Sequence, residues 1–227
     1  MRWLSALSTD CARHGMSPPP IVTVDIDETS VRLRLAAPRP EAPDAWSVSP
    51  DGATWTRRVG KLADVTSGTV PRGLTAVGLL DRPRMLVDLT ASGTVISLDG
   101  EAADRLEVAH RWVDERSRAT WSRGFPVVLV DLPELATATT VANTSRQLAN
   151  VVAMGGEGMA LLREAPSGQE GADLAATLLS PACRWAIVVL GTAQARWTFR
   201  ATATGSVTSD VFPARSLEPP IATGARR

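Results

Sequence analysis

One short segment has the residue types and the position for phosphate chemistry: Asp99-Gly100-Glu101-Ala102-Ala103-Asp104, set between an apolar run and an amphipathic one. A glycine turn leading from a strand into a helix is where phosphate-binding folds present backbone N–H groups and a helix N-terminus to an anion. A working loop needs several glycines for close backbone approach, a lysine to neutralise the phosphates and a Ser or Thr to hold magnesium. This turn has one glycine, Gly100, and no lysine, and the lysine and hydroxyl positions are not filled at Ala103 to Leu106. Three carboxylates, Asp99, Glu101 and Asp104, stand where a polyphosphate would sit, and like charges at that spacing oppose its binding. Asp99 or Asp104 is expected instead to cap the helix and favour its positive end, by on the order of 1 kcal/mol.

A second acidic place follows the apolar run Val127-Val128-Leu129-Val130: Asp131 ends it and Glu134 comes three residues later. A magnesium-linked carboxylate occupies such a strand end in phosphate-loop ATPases, but without a lysine loop the two acids form only an acidic pair at a sheet end. They are the site an enzyme of unfamiliar type would use, as a hydrolase or phosphotransferase. No other chemistry is legible. Ser145, Ser180 and Ser206 lack a nucleophile-elbow context, and Gly155-Gly156-Glu157-Gly158 precedes a strand, which makes it a turn and not a dinucleotide fingerprint. His14 and His110 are too few and scattered for a metal site, and Cys11 and Cys183 read as buried thiols outside any disulfide framework. No metal and no cofactor are expected.

The elements that would position these residues fall into two groups. Trp3 to His14 places Leu4, Leu7, Cys11 and Ala12 on one helical face, with Gly15 as the stop. Ile21 to Ile26 and Val31 to Leu35 alternate as two strands around Asp27-Glu28-Thr29-Ser30. Trp46 and Trp55 flank the turn Ser49-Pro50-Asp51-Gly52 as a cross-strand pair in a second hairpin. Gly60 to Gly78 reads as a long loop, which puts a domain boundary near residue 80. Beyond it, strands at Met85–Leu89, Thr94–Leu98, Pro126–Val130, Met159–Leu162 and Trp185–Leu190 alternate with helices at Ala102–Trp121, Thr140–Met154 and Ala172–Leu179. Strand, crossover helix and strand in succession require parallel pairing with a right-handed connection. The fold class expected is α/β: a mostly parallel sheet with flanking helices over 81–212, preceded by a small helix and β-hairpin unit over 1–80. Residues 197–202 and 207–211 read as an exposed terminal hairpin, and 213–227 as a disordered tail.

Composition narrows the function class. The 227 residues carry 24 basic and 24 acidic side chains, so no net field draws the protein to nucleic acid or an anionic membrane. Lys61 is the only lysine. No run of about 18 apolar residues occurs and no signal region follows Met1, so neither membrane insertion nor secretion is expected, and the cytoplasm is the expected compartment.

Two resemblances rest on these residues. Leu4 to Leu7, Cys11, Gly15, Pro20, Val22 to Val24, Val31 to Leu35, Ala42-Pro43, Trp46, Asp51-Gly52 and Trp55 resemble the cytoplasmic region of large actinobacterial membrane proteins. Those proteins carry a LysM peptidoglycan-binding module and a bacterial transcriptional activator domain; Arg82-Pro83, Leu86 to Leu89, Val95 to Leu98 and Val127 to Val130 keep the same order. The order of strand, loop, helix and strand also resembles, in decayed form, the phosphate-loop core of septal DNA translocases and type VII secretion ATPases. The resemblance implies a pseudo-ATPase fold retained for docking; separately, the sheet edge or the Trp-bearing hairpins offer a surface for a protein partner, with a second copy of the chain as the simplest form. The function expected is a non-catalytic cytoplasmic assembly or regulatory module, and the alternative is the carboxylate enzyme.

Overall fold

The computed structural model describes residues 2–27, 29–58, 72–77, 84–92, 95–118, 124–180, 182–203, 205 and 207–209. The boundary near residue 80, most of the long loop and the tail lie outside them. The described residues form a mixed α/β fold with two sheets and four α-helices. No helix among them is long and apolar enough to cross a membrane.

The first helix, α1 (Arg2–Arg13), buries Ala6, Leu7 and Cys11 and stops at Gly15, whose φ of +65° suits glycine. Ala12, expected on the same face, is exposed. The helix covers an antiparallel sheet of β1 (Ile21–Ile26), β2 (Ser30–Leu35), β3 (Ser47–Val48), β4 (Thr54–Arg58), β5 (Leu74–Ala76) and β6 (Arg84–Asp88). Their order is β3-β4-β2-β1-β6-β5. Val24, Val31, Leu33 and Trp55 meet Leu7 and Cys11 in one apolar cluster, and Arg57 on β4 donates to the Asp10 carboxylate at 2.6 Å. The Trp46 and Trp55 rings do meet, 6.4 Å apart and tilted by 47°, although the residue opposite Trp55 in the ladder is Val48.

Two strands of this sheet depart from the sequence expectation. Leu74–Ala76, placed in a loop, is strand β5, and the strand at 84–88, placed with the α/β core, pairs with β1 instead. Strand patterning shows that a segment has an apolar face; it does not say which sheet will bury it.

The second sheet contains β7 (Val95–Asp99), β8 (Val127–Val130), β9 (Thr140–Asn143), β10 (Glu157–Leu162), β11 (Arg184–Val189), β12 (Trp197–Ala201) and β13 (Val207–Ser209). Its order is β13-β12-β7-β11-β10-β8-β9, parallel throughout except for β13. The central strands β7, β11, β10 and β8 are covered on both faces and are near-continuous apolar runs, whereas β12 alternates buried and exposed residues. Val127, Leu129, Met159, Leu161, Ala186 and Val188 face α2 (Ala102–Arg118), which contributes Val108, Ala109, Trp112 and Val113. Val128, Val130, Ala160, Leu162, Ile187 and Val189 face α3 (Ser145–Ala153) and α4 (Gly168–Leu178).

The helix expected from Thr140 begins only at Ser145, because 140–143 pairs with β8 as an edge strand. Thr144 marks the junction. Its hydroxyl accepts from Gln147 N–H and the Gln147 side chain accepts from Thr144 N–H at 2.9 Å, a reciprocal capping box. Thr144→Ala is expected to lower stability by about 1 kcal/mol in urea denaturation. A change within about 0.3 kcal/mol would show that β9 pairing alone starts α3.

The segment expected to form an exposed terminal hairpin is also different. Strand β12 pairs with β13 but lies between it and β7, and Trp197, Phe199 and Ala201 are buried.

Candidate functional site

Strands β7, β8, β10 and β11 run in the same direction, so their carboxyl ends share one edge of the sheet. From that edge α2 departs over one face and α4 over the other. Crevices in open α/β sheets open where connections diverge in this way. A cleft of about 340 Å³ lies there, between the first turn of α2, the residues after β10 and the residues after β11.

The loop from Asp99 to Asp104 forms the turn into α2, as the sequence indicated, but its polar groups point to different work. Asp99 Oδ1 accepts from Gly100 N–H at 2.8 Å, so the carboxylate takes the backbone donor a phosphate would need. Gly100 has φ +117°, and a Cβ there would lie 2.8 Å from the Ala201 carbonyl oxygen on β12. Its missing side chain therefore serves the close approach of β12. Glu101 is exposed and Asp104 sits half-buried in the first turn of α2, and neither lines the cleft.

The charged residue that does enter from this helix is Arg105, which sequence reasoning passed over. Arg105 Nη1 donates to the Leu190 carbonyl at 2.9 Å, while Nε is buried without a partner. The glycine at 191 makes room, since a Cβ there would lie 3.1 Å from Arg105 Nη1. The available signal was an arginine four residues after Glu101, at the place where a lysine was sought.

The Asp131 and Glu134 pair lies elsewhere on the edge. The order β7-β11-β10-β8 separates the Asp131 strand from the Gly100 strand by three inter-strand spacings, roughly 14 Å. Asp131 holds φ +56°, a left-handed conformation unusual outside glycine, and its carbonyl accepts from Arg163 Nε at 2.7 Å. The same guanidinium donates through Nη2 to Glu134. A hydrogen bond from its own backbone N–H, with Arg163 beside it, holds the Glu134 carboxyl below the usual carboxylate range. A general acid or base would be tuned in the opposite direction, toward neutrality. Strand β10, which lies between the Gly100 and Asp131 strands, is followed by Arg163, so a cation stands at that part of the edge.

Other reactive groups are not assembled for chemistry. Burial pushes the Cys11 thiol up, which disfavours the thiolate, and Cys183 is free and half-buried. His14 and His110 are exposed, and among the described residues no group of three His, Cys, Asp or Glu comes together as a metal site. No protein family, curated protein or solved structure matches the chain.

A second polar cluster lies near the opposite edge, where β10 and β11 begin. Buried Arg116 on α2 donates to the Arg72 carbonyl and the Thr75 hydroxyl. Burial lowers its pKa to about 10, so it stays charged at neutral pH. Asp88 accepts from the Thr90 N–H at 3.0 Å and hydroxyl at 2.6 Å, and Arg184 reaches its other oxygen at 3.5 Å. These groups tie the antiparallel sheet to α2 and β11.

Proposed function

We propose that the chain is a non-catalytic assembly or regulatory module built on a degenerate phosphate-loop-like core and working in the cytoplasm. One observation carries this reading: the Gly100 N–H is occupied by Asp99, and the glycine itself is closed over by Ala201. A phosphate cradle requires those donors to be open and convergent. Arg163 supports the same reading, since it pairs with Glu134 and bonds the Asp131 carbonyl, which places a positive charge beside the acids that would have to hold magnesium.

The sheet edge supports the assembly half of the proposal. Among the described residues strand β9 is the last of the parallel sheet, and Val141 on it is 51% exposed, an edge that a protein partner or a second copy would extend. Isothermal titration with magnesium-ATP is the direct test. The expected result is no saturable heat and no phosphate release; binding tighter than about 100 μM with turnover would overturn the proposal.

A further inference from the structure

We infer that the cleft at the carboxyl edge of the parallel sheet binds a small organic oxyanion, a carboxylate or phosphate monoester carried on an apolar body. The inference goes beyond the assembly reading and stands without it. Two guanidinium groups border the cleft from different elements, Arg105 from α2 and Arg163 from the end of β10. They are not equivalent. Arg163 is balanced by Glu134, whereas Arg105 has no carboxylate partner among the described residues, and its one hydrogen bond goes to the neutral Leu190 carbonyl.

A half-buried guanidinium without a counter-charge is unfavourable until an anion reaches it, and its planar fork fits a carboxylate or phosphate. The N-terminal end of α2 adds partial positive charge on the same side. Leu106, Val189 and Leu190 provide apolar wall, and the volume is that of a small-ligand site. Exposed Glu164 at the rim and the acids of the nearby loop disfavour a polyphosphate, which limits the ligand to one charged group. Binding draws on no metal.

The test uses the full chain with nitrogen-15 labelling and follows the arginine Nε–Hε resonances while phenyl phosphate, benzoate or ATP is added. Phenyl phosphate or benzoate is expected to shift the Arg105 resonance saturably, with Kd below about 1 mM, and the stronger of the two identifies the head group. ATP is expected to bind more weakly than the stronger small probe. Arg105→Gln should weaken that probe by about tenfold or more, while Arg118→Gln on the exposed end of α2 leaves it unchanged. Thr192→Trp, at an exposed position on the cleft, should block binding without touching the core, and it decides the matter if Arg105→Gln does not fold. No saturable shift from either small probe, stronger binding of ATP, or undiminished binding to a folded Arg105→Gln or Thr192→Trp chain would overturn the inference.

Discussion

Truncating Phe199 to Ala is expected to lower the unfolding free energy by about 3–5 kcal/mol. The ring is fully buried on β12, between Trp112 of α2 at 6.1 Å and Trp197 at 6.3 Å, with Leu98 of β7 as its ladder neighbour. Removing it leaves a cavity where α2 and three strands meet, and the edge-to-face contact with Trp112 is lost as well. Urea denaturation followed by tryptophan fluorescence measures the change. A loss below about 1 kcal/mol would mean that β12 behaves as an exposed hairpin strand after all.

Gly100→Ala should cost about 3 kcal/mol through two separable effects. A φ of +117° is strained for any side chain, and the new methyl would stand 2.8 Å from the Ala201 carbonyl oxygen, so backbone must move. A glycine kept for phosphate would behave in the reverse manner: stability would hold and ligand binding would fall. Measuring both the denaturation midpoint and the response to magnesium-ATP separates the two roles. Unchanged stability would remove the main support for reading this loop as closed.

The helix at 102–118 and the buried strands at 127–130 and 184–189 were legible in the sequence, because each reports its own environment locally. A period near 3.6 marks a one-sided helix, and a short unbroken apolar run marks a strand covered on both faces. Thr140 to Asn143 carries no comparable signal. Its residues suit a strand edge or a helix start, and pairing with β8 decides between them. Arg116 illustrates a different limit: an arginine in an amphipathic helix is ordinarily solvated, and the Thr75 hydroxyl and Arg72 carbonyl, at and beside β5 of the other sheet, help to make its burial tolerable.

The loop from Asp99 to Asp104 shows the same division within one site. Its lack of lysine and its excess of carboxylate are facts of composition, and they argue against a nucleotide whatever the fold around them. What the turn does was decided in three dimensions. Strand order put Ala201 against Gly100, moved Asp131 three strands away, and brought Arg105 and Arg163 to the same cleft. Side-chain periodicity encodes which faces are apolar, and turn chemistry encodes where the chain reverses, so both can be read along the sequence. Neither encodes which strands become neighbours, because that choice rests on burial and pairing between residues far apart in the chain.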